Sequence, residues 1–220
     1  MQKLKTMYDA ILDVIFPPKC PLCLSYVEEK GQVCKRCFTK VATKRYIPLE
    51  IGQIQSLDQC MALCRYRQGI QKLIRALKYQ QRMEKLAGLH FLLQELLKQS
   101  EFSVDAVVPV PLSKERQRER GFNQTELIFR RWAEGKNLVW QDCLFRIKET
   151  QPQYGFARQE RWDNMQGAFA LAQGVSMRGK TILLVDDIFT TGATLESCAK
   201  TLKKAGARKI IGLVLASDDA

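Results

Sequence analysis

Hydrophobic positions along this chain switch period repeatedly, and the switches mark its elements. Residues 69–80, "GIQKLIRALKYQ", place Ile70, Leu73, Ile74 and Leu77 three and four apart, the spacing of one buried helical face. The stretches 83–99, "MEKLAGLHFLLQELLKQ", and 119–134, "ERGFNQTELIFRRWAE", repeat that spacing, as does 194–206, "TLESCAKTLKKAG". Between them lie short apolar runs: "VDAVVPV" at 104–110, "QDCLFRI" at 141–147, "TILLVDD" at 181–187 and "KIIGLVLAS" at 209–217. These read as strands. Strands separated by helices predict an α/β fold, a parallel sheet flanked by helices.

Two segments stand apart from that alternation. At the start, Leu4, Met7, Ile11, Leu12 and Ile15 recur at helical spacing, so a short amphipathic helix is expected. Asp9 and Asp13 interrupt its apolar side, unlike a secretory leader. No apolar run approaches the roughly 20 residues that span a bilayer. The expected location is the cytoplasm, including the inner face of its membrane. The second segment, 148–167 "KETQPQYGFARQERWDNMQG", is polar, basic and aromatic without a sustained period. A loop of that length inside a compact domain is usually functional or mobile.

Charge narrows the partners. Thirty-five Lys and Arg against 23 Asp and Glu give a net charge of +12, which suits polyanions. Between Arg65 and Lys85, seven basic residues face a single acid, Glu84. On the 69–80 helix Lys72, Arg75 and Lys78 share the side opposite the apolar stripe. That stripe is either a solvated face or a footprint for the phosphate backbone of single-stranded DNA. Lys78 has a third option, a nearby phosphate pocket.

Cysteine spacing defines a separate unit. Cys20-x-x-Cys23 and Cys34-x-x-Cys37 form two tight turns ten residues apart, a pattern for one tetrahedral Zn2+ with four thiolate ligands. Such a site has no open position, so its role is structural. Cys60 and Cys64 read as strand or core residues, with an accessory metal pair as the alternative, and Cys143 and Cys198 as core residues. Residues 1–50 are therefore expected to form an N-terminal helix and zinc module, and 51–220 the α/β domain.

Chemistry concentrates at Thr181 to Thr194, "TILLVDDIFTTGAT". In parallel sheets ligands sit beyond the carboxyl ends of the strands. There Asp186 and Asp187 are followed by Thr190, Thr191, Gly192, Ala193 and Thr194, leading into a helix. Small residues and a helix N-terminus suit a phosphate, and the acids suit sugar hydroxyls. The spacing matches neither a Walker A loop nor G-x-G-x-x-G.

This stretch resembles the 5-phosphoribosyl-1-pyrophosphate (PRPP) signature of type I phosphoribosyltransferases. With "VVPVPLSKERQRERGFNQTEL", "RIKETQPQYGFARQERWDNMQGAF" and the cysteine module in front, the whole chain resembles the ComF, or GntX-like, family of bacterial competence proteins. The resemblance implies that Asp186 and Asp187 hold the ribose hydroxyls and that residues 190–194 cradle the 5′-phosphate. It implies that Pro109, Val110, Pro111, Leu112 and Ser113 form the pyrophosphate loop, with Mg2+ bridging pyrophosphate and ribose oxygens. The 148–167 segment becomes a hood carrying Arg158, Arg161 and Asn164. Natural transformation is the implied process, with single-stranded DNA, a ComFA-like competence helicase and a recombination mediator as implied partners. Three functions stay open: a PRPP-dependent ribosyl transferase or hydrolase, even one with no DNA role; a PRPP-binding module that handles incoming DNA; and an adaptor docking through the zinc module.

Overall fold

A computed structural model describes residues 16–49, 53–148 and 158–218. The expected N-terminal helix over 1–15 and the middle of the polar segment, 149–157, lie outside the described residues.

The first described unit is a zinc-knuckle hairpin. Cys20 N–H donates to Ser25 O (2.8 Å) and Leu24 N–H to Cys20 O (2.9 Å), closing the first turn, and Lys19 bridges Tyr26. Helix α1 (Lys35–Val41) starts at the second cysteine pair, and β1 (Ala42–Tyr46) follows it directly. Strand β2 (Gln59–Arg65) is buried at Cys60, Met61, Ala62, Leu63 and Cys64. Helix α2 (Gln68–Gln80) buries Ile70, Leu73, Ile74 and Leu77, as its period predicts, and ends on Gln81 in the left-handed region. A 3-10 turn (Met83–Lys85) leads into α3 (Leu86–Leu97).

Strand β3 (Ala106–Pro109) is followed by two helices where the sequence predicts one over 119–134. Helix α4 (Lys114–Arg120) stops at Gly121, whose φ is +78°, and α5 (Gln124–Gly135) restarts three residues later. Asn123 makes the restart: its side-chain oxygen accepts from Thr125 N–H at 3.0 Å, an N-cap. Strand β4 (Leu144–Arg146) pairs antiparallel with β5 (Phe169–Leu171) as a separate hairpin, with α6 (Arg158–Met165) before β5. The "QDCLFRI" strand therefore stands off the main sheet. Strand β6 (Thr181–Phe189), α7 (Ala193–Lys204) and β7 (Lys209–Ser217) complete the fold.

The main sheet runs β1-β2-β7-β6-β3, with only the β1–β2 pair antiparallel. Alternating side chains feed two cores. Leu183, Val185, Leu213 and Leu215 join a cluster with α2, α3 and α5; Ile182, Leu184, Ile210 and Val214 join another with α7 and the β4–β5 hairpin. The first cluster also contains Cys20, Val27, Val33 and Cys37 of the knuckle unit. Contact there is close: Cβ atoms built on Gly31 and Gly88 would stand 2.5 Å from Ala87 Cβ and 2.6 Å from Pro21 Cγ.

Cys60, Cys64, Cys143 and Cys198 are all buried in strands, loop or helix. Burial pushes the Cys60 and Cys64 thiols up to about 12, as expected of core thiols. Among the described residues no helix is long and apolar enough to cross a membrane.

Candidate functional site

The sheet registers create the site. Strand β3 pairs with β6 only as far as Pro109↔Val185, whereas β6 and β7 stay paired to Phe189↔Ser217. Asp186 and Asp187 are the first residues of β6 to lose their neighbour on the β3 side. They lie inside the strand, which runs two residues beyond them, and not at its end.

Both acids are buried, at 9% and 4% exposure. Asp186 Oδ1 accepts from the Thr125 hydroxyl (3.2 Å) and from Asp187 N–H (2.8 Å). Burial, reinforced by the neighbouring Asp187 charge, raises the Asp186 carboxyl from 3.8 to about 7, with Lys78 and these hydrogen bonds opposing the shift. Asp187 Oδ2 lies 2.6 Å from Lys78 Nζ. That contact is an ion pair and not an aligned hydrogen bond, so Oδ2 retains an unused acceptor direction.

A cavity of about 350 Å³ opens over this pair at the carboxyl ends of β2, β3, β6 and β7. Val110, Pro111 and Leu112, following β3, line the cavity together with Thr190, which directly follows β6, and Thr194, in the first turn of α7. Asn123 fixes the 109–113 loop, its Nδ2 donating to Val110 O at 3.1 Å. Ser113 is buried as the N-cap of α4, accepting from Arg116 N–H at 3.3 Å. Below Thr190, Gly192 opens α7 with φ +81°, and a Cβ there would reach Ile54 Cδ1 at 2.6 Å and Phe189 Cζ at 2.8 Å. Only glycine fits that turn without displacing both. Ala193 N–H donates to Thr191 Oγ1 (3.4 Å), a local bond across the turn whose N-cap is Gly192.

Cations crowd the remaining walls. Arg75, Lys78, Arg116, Arg146 and Arg161 all line the cavity. Among the described residues Arg116, Arg146 and Arg161 have no carboxylate partner, and the Nε atoms of Arg146 and Arg161 are buried without an acceptor. Arg146 leans on Phe169 (5.8 Å to the ring centroid), and burial, then Arg116, lowers its pKa. Outside the cavity the chain does pair its arginines: Arg130 with Glu126 and Glu134, Arg82 with Glu84. Unpaired guanidiniums around one hollow are suited to a ligand with several phosphates.

The expected site residues divide as follows. Asp186, Asp187, Thr190, Thr194, Val110, Pro111, Leu112 and Arg161 meet at the cavity; Thr191, Gly192, Ala193, Pro109 and Ser113 support its loops. Arg158 begins α6, its side chain outside the description, and Asn164 on that helix is not on the cavity wall. The Lys72, Arg75, Lys78 stripe is split: Lys72 and Arg75 are both exposed on α2, and Arg75 and Lys78 also line the cavity. Arg120, buried, reaches Gln124 Oε1 (2.9 Å) and covers Tyr79 (5.3 Å). His90 is structural, its Nε2–H donating to Leu127 O at 2.8 Å.

Sequence reading missed Arg146, Tyr66 and Asp218 on the cavity wall. Tyr66 and Asp218 directly follow β2 and β7, so the rule placing ligands at strand carboxyl ends pointed to them. Arg146 gave no such signal.

The cysteine cluster lies apart. The sulfurs of Cys20, Cys23, Cys34 and Cys37 are all within 4.8 Å of one another, the one such cluster among the described residues. Four thiolates about 2.3 Å from Zn2+ would be about 3.8 Å apart, so the set fits that ion. Ser25 hydrogen bonds hold the Cys23 thiol down at about 5, while burial pushes Cys37 up. The residues form a closed structural zinc site.

Known proteins bear on both parts. The double zinc ribbon domain family matches residues 11–48, and the phosphoribosyl transferase domain family matches residues 153–220. Competence protein F of Haemophilus influenzae is 30% identical over 202 residues, 88% of this chain and 82% of its own. The DNA utilization protein YhgH of Salmonella typhimurium is 27% identical over 87% of this chain and 86% of its own. Among solved structures, adenine phosphoribosyltransferase from Leishmania tarentolae covers 72% of this chain and 91% of its own at 12% identity, with a TM-score of 0.39.

Proposed function

Because the chain belongs to the competence protein F (ComF) family, we propose that it serves the uptake of single-stranded DNA in natural transformation and binds PRPP, with Mg2+, in the cavity over Asp186 and Asp187. One observation carries the ligand assignment. Two buried carboxylates share a cavity with three guanidiniums that no carboxylate partners, which suits a ligand rich in hydroxyls at one end and in phosphates at others.

In this reading Asp187 Oδ2 and Asp186 accept from the ribose 2′ and 3′ hydroxyls. Thr190 and Thr194, with the N-terminus of α7, hold the 5′-phosphate. The 109–113 loop faces the pyrophosphate, and Arg158 and Arg161 close over it from the hood. Mg2+ bound with the ligand supplies charge neutralisation on the pyrophosphate. Residues 1–50 act as the zinc-bearing part and 51–220 as the phosphoribosyltransferase-like part. Of the basic stripe Lys72 and Arg75 are exposed on α2 and face the DNA backbone in this reading, Lys72 being the one that does not line the cavity. A competence helicase and a recombination mediator are the partners the process calls for.

Isothermal titration of PRPP in magnesium tests the site. Binding by the wild-type chain, lost in Asp186→Ala plus Asp187→Ala, is the expected result. No wild-type binding, or binding that survives the double substitution, would remove the cavity reading. Transformation frequency of a strain carrying the same substitutions tests the process; an unchanged frequency separates the site from DNA uptake.

A further inference from the structure

The cations around the cavity are not equivalent. Arg116, Arg146 and Arg161 line the cavity without a carboxylate partner among the described residues, whereas Lys78 is seated on the acid pair, 2.6 Å from Asp187, with the two side chains 15% and 5% exposed. Among the described residues it is the one cation paired with either acid.

Its backbone is held in place. Ile74 and Leu77, on the same turns of α2, are fully buried, and Tyr79 lies under Arg120. The ammonium itself sits on a stem of four methylenes and can swing by several ångströms through rotamer changes alone. The helix thus fixes the pivot and leaves the charge free to move.

One oxygen of each acid is already in use. Asp186 Oδ1 is taken by Thr125 and by the Asp187 N–H, and Asp187 Oδ2 faces the ammonium. A divalent cation approaching that oxygen would meet the charge of Lys78 at contact range, in a buried site where repulsion is weakly screened. Mg2+ also sheds its water reluctantly, and a carboxylate that already faces an ammonium, beside one that already accepts two hydrogen bonds, repays less of that cost.

We propose that Lys78 is the resident cation of the acid pair. It keeps divalent metal off Asp187 in the ligand-free protein, and it turns to the ligand's phosphate oxygens when the ribose hydroxyls take Asp187. The exchange conserves charge: the ammonium leaves a carboxylate for a phosphate, and the carboxylate accepts hydroxyl hydrogen bonds instead. Part of the neutralisation of the polyanion is then supplied by the chain, and ligand affinity depends on added metal less than it otherwise would. This role rests on the phosphoribosyl reading of the cavity and adds a residue that the 181–194 motif does not contain.

Two measurements on the zinc-loaded full chain test it. Manganese titrated into the ligand-free wild type, followed by electron paramagnetic resonance, should show no ion at the acid pair, and Lys78→Met should create one. Stoichiometric manganese on the wild type that Asp187→Asn removes would overturn the proposal without reliance on any Lys78 variant. PRPP titrated with and without magnesium should lose about tenfold in affinity for the wild type and about a hundredfold or more for Lys78→Met, with Lys78→Arg between them. Equal losses in wild type and Lys78→Met would remove the role of Lys78 and leave the cavity reading standing. Absence of wild-type binding even in magnesium would remove both.

Discussion

Gly88 of α3 bears directly on Pro21 of the zinc knuckle: a Cβ at Gly88 would stand 2.6 Å from Pro21 Cγ, a distance real side chains do not reach. The proline ring is rigid and its turn is tied to the metal site, so it cannot yield.

Gly88→Ala should therefore destabilise the chain, although alanine is the better helix former by about 1 kcal/mol. Overpacking of this kind costs about 1–3 kcal/mol, so a net loss of up to about 2 kcal/mol is expected. The midpoint of denaturant unfolding measures it. A rise in the midpoint would show that the knuckle rides loosely on α3.

Metal content provides a second check. Elemental analysis should give about one zinc per chain. Cys37→Ser should lower the melting temperature of the whole chain, since Cys37 belongs to the cluster that also holds Leu73, Leu89 and Leu213. One cooperative transition is expected in wild type. A separate early transition confined to the knuckle would contradict the shared core.

Stability should fall as pH rises from about 4 to about 7. Asp186 is held at about 7 in the folded chain against 3.8 in its ordinary state, so across that window the unfolded chain is ionised while the folded chain remains protonated. Its contribution is fully present below 3.8 and lost through 7, on the order of 2–4 kcal/mol. Asp186→Asn should flatten the slope of unfolding free energy against pH. An unchanged slope would place the titration elsewhere. PRPP binding should run the other way, strengthening as Asp186 ionises.

DNA binding should distinguish Lys72 from Lys78. Affinity for a single-stranded oligonucleotide should fall steeply with salt, and Lys72→Ala should reduce the log–log slope by about 0.7 if one phosphate contact is lost. Lys78→Ala should leave that slope alone, because Lys78 is turned to Asp187. A slope indifferent to Lys72 would take α2 off the DNA surface.

The sequence made legible what local chemistry dictates. Residues 209–217 are a strand in both readings, since nine residues without helical period lie between a turn and Asp218. The small residues of 190–194 marked a tight turn because Gly192 needs a positive φ there. Depth was harder to read. Helical period put Lys72, Arg75 and Lys78 on one side of α2, but period gives direction around the axis and not what stands opposite, so Lys78's meeting with Asp187 was invisible. The separate β4–β5 hairpin escaped for a similar reason: "QDCLFRI" has the pattern of a strand, and pattern does not name a partner. The break at Gly121 was visible in principle, in a glycine followed by the Asn123 cap, but apolar spacing on either side masked it.

The knuckle lends Cys20, Val27, Val33 and Cys37 to the same buried cluster that the sheet and helices fill. It is therefore not a transferable cassette. A recombination event that carried residues 16–49 into another gene would leave Leu73, Leu89 and their neighbours short of packing here, and would deliver a hairpin without its packing partners there. Descendants of such an exchange would need compensating changes on α2 and α3 before either piece folded. Zinc ligands and helix faces in this lineage should change together.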